Sequence, residues 1–535
     1  MAQSINYQWA KGIGNSGSEA GYCIKEDFSG NVYVCGKFRL TVDFDPSAGI
    51  ANLTSNGNED FFLAKYNSSG NYVWAKSIGG TGSESAQSIA IDNAGNILVT
   101  GYFFYTVDFD PSVGLANMTS VGASDFFIAK YDNNGNYVWS KSAGLVNGDG
   151  GYSITLDLVG NAYTTGNSNG GDIFIRKYDI GGTLQWEKMI SGAYSENGEC
   201  IVYNNGNIYL TGYFRGIVDF DPSASTANLA TTSGIDGDVF IASYDTNGNY
   251  NWAKSFGSAS ANDYGHSVAV DGLGDLYICG DYRSTVDFDP SGGISNLTSL
   301  GGSDMFITKF TPTGTFIWAK SIGGVNNDTG LGLAIDNSNN VYVTGWFYET
   351  VDFDPSAAGV ATITSTGMGD LYIAKYDLNG NYLLAVNMGG TASEQGNSIA
   401  LNNTTIYLTG SFQSNSCDFD PSNGVAAVTN SFAPTDEIFI CKYTQTTATK
   451  INENTFNEET IQIYPNPVIN DVNILSSSEI VKVEVINLLG EVVLKKDLSP
   501  IKEASVDIHL IDGGYYFIRI YTQDSGVTIK KIMKY

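Results

Sequence analysis

Asp-Phe-Asp-Pro recurs six times along the chain, placing paired carboxylates at Asp43 and Asp45, Asp108 and Asp110, Asp219 and Asp221, Asp287 and Asp289, Asp352 and Asp354, and Asp418 and Asp420. Alternate side chains of an extended segment point the same way, so both carboxylates of a run can converge on one hard cation while the Phe turns inward. These twelve aspartates are the candidate metal ligands. Calcium is the candidate ion, because carboxylate and backbone oxygens abound while His266 and His509 are the two histidines of the sequence. A plainer reading competes with it. Asp also fastens turns by accepting backbone N–H groups, and the runs match no calcium-loop consensus. Two further acids recur once per repeat. One set is Glu19, Glu84, Asp149, Glu196, Asp263, Asp328 and Glu394; the other is Asp60, Asp125, Asp172, Asp238, Asp304, Asp370 and Glu437. Connections at one end of each repeat carry all of these acids, so a strongly negative, insert-decorated face is expected there.

Catalysis is not expected, and no residue is assigned to it. A glycoside-cleaving site would use a dedicated acid pair, whereas each pair here is copied around the molecule. His266 stands where other repeats carry Gln87 or Tyr152, which reads as a local substitution rather than a base. Trp346 and Phe347 stand where Tyr102 and Phe103 do, which reads as core packing in preference to a stacking platform. With 27 Lys plus Arg against 56 Asp plus Glu, the charge of -29 excludes nucleic acid and anionic membrane surfaces as partners. No run of about 18 apolar residues offers a membrane-spanning helix.

The elements that must position these acids follow from self-similarity. Trp9, Trp74, Trp139, Trp186, Trp252 and Trp318 head successive copies of a WAKSIGG-like run, and Leu384 stands at the seventh such place. A full unit contains four runs of strand length, YVWAKSI, SIAI, NILVTGYF and DFFIAKY, separated by turn clusters such as Asp92–Asn96 and Asp132–Asn136. Abundant Gly (63, against 11 Pro) and 13% aromatic residues agree with many short strands and tight turns. Four antiparallel strands in each of seven units predict an all-β fold, a seven-bladed β-propeller over residues 1–443. The third unit lacks the Asp-Phe-Asp-Pro insert. The seventh lacks its outer strand, which the N-terminal YQWAKGIG can supply, removing two open edges.

A polar stretch over 444–460 reads as a linker, and residues 461–535 alternate as short strands that predict a small C-terminal β-sandwich domain. The SIAIDNAGNILVTGYF and DFFIAKYDNNGNYVW patterns resemble the bacterial SBBP propeller repeats over roughly residues 5 to 443. The tail is similar to the C-terminal sorting domain of the type IX secretion system of Bacteroidota. Tyr464, Pro465, Asn466 and Pro467 match its opening motif, Asn487 to Gly490 its central turn, Gly513, Gly514, Tyr515 and Tyr516 its G-x-Y motif, and Lys530, Lys531 and Lys534 its basic last strand. The resemblance implies a secreted or cell-surface cargo whose partners are the outer-membrane translocon and its shuttle protein. Under it, the opening MAQSINYQWAKG, with neither charged leader nor apolar core, reads as a chain whose signal peptide has been removed. A binding or adhesion module with a glycan or protein ligand is the expected role. A polysaccharide-acting enzyme and a structural surface component are the alternatives. No cofactor other than calcium is expected.

Hairpin arithmetic places Cys23 opposite Cys35. Direct cross-strand Cβ separations of about 4.5–5.5 Å are slightly long for a bridge, leaving a disulfide and two small buried thiols as the choices. Cys200, Cys279, Cys417 and Cys441 fall in different units or strands and are expected free.

Overall fold

The computed structural model describes residues 4–422, 424–446, 461–466, 468–487, 492–511, 513–523 and 527–534, so most of the expected linker, with Pro467 and Gly490 of the tail motifs, lies outside the described residues. Strands and turns make up the described chain, as expected of an all-β protein. It forms two compact units, one from the described residues up to 446 and one from 461 onward.

The first unit is built from seven four-stranded antiparallel sheets. The third strand of a sheet is deeply buried; Asp60–Tyr66, Asp125–Tyr131 and Asp370–Tyr376 are buried at every position. Neighbouring sheets cover both of its faces, which is why DFFIAKY is nearly continuous in apolar residues. The outer strand, such as Tyr72–Ile78, alternates because one face is open. Tight hairpins join the strands. At Asp92 the carboxylate accepts the N–H groups of Ala94 and Asn96, both at 2.9 Å, and Gly95 takes the positive φ of +81° that the turn requires.

The inner strands touch in sequence. Ala20–Glu26 packs beside Ser85–Ile91, then follow Gly150–Leu156, Asn197–Asn204, Tyr264–Val270, Asp328–Ile335 and Glu394–Asn402, which returns to Ala20–Glu26. In the seventh sheet the outer place is taken by Ser4–Ile13, paired antiparallel with Glu437–Thr446. Indoles reach between sheets: Trp9 Nε1 donates to Ser68 O (3.3 Å), Trp74 to Asn133 O (3.2 Å), Trp186 to Thr246 O (3.2 Å), Trp252 to Pro312 O (3.1 Å) and Trp318 to Leu378 O (3.3 Å). The Asp-Phe-Asp-Pro inserts form short antiparallel ribbons, such as Thr106–Asp108 with Asn117–Thr119, and the third sheet passes directly from Ser168 to Asp172 without one.

In the second unit the described strands are hydrogen-bonded in one continuous five-stranded sheet. The long strand Asp471–Ile486 shifts register between Leu475 and Ile480, so its two halves pair with different stretches while sharing one core of Val472, Ile474, Val483, Val485, Ile518 and Ile520. Pro465 and Asn466 follow the short strand Gln462–Tyr464 instead of leading into one. Asn466 Nδ2 donates to Lys531 O (3.0 Å), tying the opening motif to the last strand, Val527–Lys534, which also carries Lys530 and Lys534. Gly514 and Tyr515 begin the strand Gly514–Thr522, directly after Gly513. Cys23 and Cys35 are direct cross-strand partners, as the arithmetic requires, and all six cysteines are free thiols.

Candidate functional site

The twelve aspartates of the inserts fasten their own ribbons. Asp108 Oδ1 accepts the N–H of Asp110 (3.1 Å) and of Ala116 (2.8 Å), and Asp110 Oδ1 accepts that of Ser112 (2.9 Å). The pattern recurs from Asp43, Asp219, Asp287, Asp352 and Asp418 to their second aspartates Asp45, Asp221, Asp289, Asp354 and Asp420. The intervening Phe44, Phe109, Phe220, Phe288, Phe353 and Phe419 are core residues. Among the described residues no group of three or more His, Cys, Asp or Glu side chains lies together as a metal site would need.

The other two sets of acids meet at the seams between sheets, and the expected negative face is in large part internal. Of these fourteen acids all but Asp172 are buried. The N–H of Glu84 donates to Glu59 O (2.9 Å), the residue before Asp60 in the preceding sheet. Asp149, Glu196, Asp263, Glu394 and Glu19 repeat this with Ser124, Gly171, Gly237, Gly369 and Asp436. Each seam therefore brings one acid of either set together. Burial, reinforced by the neighbouring acid, lifts Glu19 and Glu196 to about 8 and Glu84, Asp263 and Asp328 to about 7. Burial alone lifts Glu437 to about 7 and Asp304, against hydrogen bonds from Leu300 and Ser321, to about 6. Backbone N–H groups oppose the rise: Asp328 accepts those of Gly324 (2.7 Å) and Tyr348 (3.1 Å). Asp238, Asp304 and Asp370 each leave Oδ1 buried without a hydrogen-bond partner, a cost that a proton on the carboxyl reduces.

A different arrangement lines the centre. Each inner strand carries a β-bulge at its third or fourth residue, and the bulged residues are Tyr22, Gln87, Tyr152, Glu199, His266, Leu331 and Asn397. A bulge bends its strand and re-aims one side chain. All seven line a single cavity of about 660 Å³, are half-buried, and follow a buried residue. A small residue precedes each one. At Gly151 a Cβ would meet Thr100 Oγ1 at 2.3 Å, so glycine there lets the adjacent sheet close up against the bulge. Unlike the acids, these seven differ in chemistry from sheet to sheet.

Around the ring the polar groups are cross-linked. His266 Nε2 and Asp281 Oδ1 are 2.8 Å apart, and Asn197 Nδ2 donates to Glu199 Oε1 (2.6 Å). Burial works against a charged His266, but the hydrogen bond and charge of Asp281, with Glu199 nearby, hold its pKa above the ordinary value. Burial raises the Glu199 carboxyl against the pull of His266 and Asn197. Tyr264 stacks beside His266 at 6.1 Å and meets Tyr213 edge-on at 5.1 Å. Within the first sheet Lys37 pairs with Glu59 at 2.9 Å. Asn397 Nδ2 donates to Gly21 O (2.9 Å) and Gln87 Nε2 to Ser85 Oγ (2.7 Å).

His266 is thus one of a ring of cavity residues. Trp346 is half-buried beside Tyr348 at 5.1 Å, correcting the expectation of core packing, which holds for Phe347. His509 lies exposed against Asp507 in the second unit. Sequence reasoning missed the bulge ring. Its signal was present as a variable residue between two small ones, as in Gly21-Tyr22-Cys23, Gly198-Glu199-Cys200 and Gly265-His266-Ser267.

Residues 462–535 match the family model for the secretion system C-terminal sorting domain, and residues 138–174 and 251–281 match the SBBP beta-propeller repeat. An uncharacterized WD repeat-containing protein of Acanthamoeba polyphaga mimivirus is 27% identical, covering 78% of this chain and 37% of that protein. Regulatory protein FlaEY of Caulobacter vibrioides is 23% identical, over 71% of this chain and 35% of its own length. The chain spans little more than a third of these curated relatives. Among solved structures, Sqt1 from Chaetomium thermophilum has a TM-score of 0.39 at 9% identity, covering 81% of this chain and 88% of that one. The phage phi92 endosialidase has 0.31 at 13% identity, covering 99% and 79%.

Proposed function

We infer that this chain, which carries β-propeller repeats followed by a secretion system C-terminal sorting domain, is a cargo of type IX secretion that acts outside the cell as a binding module. Its seven sheets are read as the blades of one propeller, with Ser4–Ile13 latched onto the last sheet. The tail is the handle for the translocon and its shuttle protein, and the propeller is the delivered part.

The observation that carries the binding reading is the bulge ring. Ligand sites are concave, with a few convergent polar groups in a formed pocket, and the ring supplies such a set inside one cavity. The exposed ribbons are less suited, because their acids are engaged by their own backbone. An enzymatic role is not favoured: His266, the histidine of the cavity, is paired with Asp281 at 2.8 Å, and the acids that recur in every unit are engaged at seams and ribbons.

Two experiments test this reading. Removing residues 461–535 should leave a folded propeller trapped inside the producing cell; arrival of the truncated protein in the medium would show the tail to be misread. For binding, the purified full chain and a Tyr152→Ala/Gln87→Ala/Asn397→Ala variant are compared for attachment to the extracellular matrix of the producing cells. Attachment should fall at least about tenfold, since buried hydrogen-bonding groups dominate such contacts. Equal attachment would remove the cavity as the site.

A further inference from the structure

The chemistry of the ring narrows the ligand. The charged residues that line the cavity are few and mixed in sign: His266 faces Asp281 at 2.8 Å, Asp27 faces Lys65 at 4.0 Å, and Lys25 and Glu26 are of opposite charge. Glu199, the acid of the ring itself, is tied to Asn197 and sits beside His266. Little uncompensated charge therefore remains to attract an ion into the cavity, although the whole chain carries -29.

What the ring presents instead is a circle of groups that can both donate and accept: the phenols of Tyr22 and Tyr152, the amides of Gln87 and Asn397, and the imidazole of His266. Alcohol hydroxyls have the same double character. A ligand with many hydroxyls could exchange hydrogen bonds with several of these groups at once, whatever its orientation about the ring. Tyr22 and Tyr152 also offer apolar ring bodies behind their hydroxyls, and Leu331 adds an aliphatic contact. A partner with hydroxyls along its edges and C–H groups on its faces matches both features.

We propose that the bulge ring of Tyr22, Gln87, Tyr152, Glu199, His266, Leu331 and Asn397 binds an uncharged saccharide. This rests on the cavity being the binding site. Amides, phenols and imidazole keep hydrogen-bonding capacity beyond one protein partner, and a site that offers it to hydroxyls discriminates against ligands lacking them. Differences among the seven positions make the ring directional, so it can distinguish the ends of a short oligosaccharide where a uniform ring could not.

The test uses the full chain on an array of neutral, anionic and cationic oligosaccharides, followed by calorimetry with any neutral trisaccharide retained. Neutral saccharides should bind, and Tyr152→Ala, Gln87→Ala and Asn397→Ala should each weaken binding about tenfold or more. Leu115→Ala, at an exposed ribbon tip, should leave it unchanged. Thermal unfolding of each variant separates lost binding from lost folding. Retention of charged saccharides alone, with ring variants still weakening them, would overturn the ligand class and leave the cavity standing. Saccharide binding that ring variants do not alter would overturn the cavity as well. If no saccharide binds at millimolar concentration, the ligand class is wrong, and the matrix comparison decides the cavity separately.

Discussion

The seams between sheets and the ring at the centre are built on opposite plans. At the seams the same chemistry is copied: Glu84 with Asp60, Asp263 with Asp238, Asp328 with Asp304, Glu394 with Asp370, an acid from each neighbour in buried surroundings. At the ring the backbone device is copied, a bulge behind a small residue, but the side chain it aims is different nearly every time. Copied chemistry marks what each repeat needs in order to be a repeat. A copied backbone with uncopied side chains marks where the repeats have been released to do something together. Recurrence of an acid in every unit is thus weak support for a ligand site, even where paired carboxylates invite one.

Breaking the copied plan should have the largest effect. Deleting residues 1–14 removes the strand paired with Glu437–Thr446 and exposes an edge, so the melting temperature should fall by about 10 °C or the protein should aggregate. Unchanged unfolding would show that the seventh sheet does not need its fourth strand.

The next effect is on pH. The seam acids have folded-state pKa values above their unfolded ones, so the native state binds more protons. Their stabilisation is complete below about pH 4 and is lost as pH rises through 6 to 8. The turn aspartates work in the other direction. Asp27, Asp92 and Asp336, despite burial, are held low by Asn side chains and backbone N–H groups, with Lys130 foremost at Asp92 and Lys375 assisting at Asp336, so their contribution is lost as pH falls below about 4. Stability should peak near pH 4 to 5 and fall by about 5 °C in melting temperature by pH 8. A maximum at pH 8 would mean that the seam acids are ionised at little cost.

A smaller effect sharpens the same point. Combining Glu84→Gln, Asp263→Asn and Asp328→Asn should shrink the stability difference between pH 5 and pH 8 by about 1–3 kcal/mol in total, read from urea midpoints at the two values. An undiminished difference would place its origin elsewhere. The ring should behave in the contrary way: Tyr152→Ala and Gln87→Ala, facing a cavity, should shift melting by less than about 2 °C. A collapse of stability would make the ring part of the fold. Least of all is expected from calcium. With the ribbon aspartates occupied by backbone N–H groups, millimolar calcium should move the melting temperature by under about 1 °C, and a rise of several degrees would restore them as ligands.

Much of the fold could be read from the chain because it is local. Strand runs, the Asp92 and Asp132 turns and the missing insert before Asp172 are settled by residues close in sequence. Placing Cys23 against Cys35 needed only a hairpin and its turn. Burial of Glu84 or Asp263 was not legible, since those acids lie in connections, and only the approach of the preceding sheet encloses them. Trp346 was misjudged for the converse reason. Its neighbour Phe347 points into the core, and alternation puts Trp346 on the other side of the strand. The bulge ring is not legible in the same way, because one extra residue in each inner strand breaks the alternation from which the faces of a strand are read.

The indoles that reach from one sheet to the next turn have a last consequence. Leu384 occupies the place of Trp at the joint leading to the seventh sheet, where the third and outer strands come from opposite ends of the propeller chain and no turn joins them. Ser4 Oγ and Thr446 Oγ1 lie 2.7 Å apart there. The ring thus has a natural splice point. Joining Thr446 to Ser4 through a link patterned on Asp132–Asn136, restoring the indole with Leu384→Trp and opening the chain at another hairpin should give a circular permutant with the same sheets in a new order of synthesis.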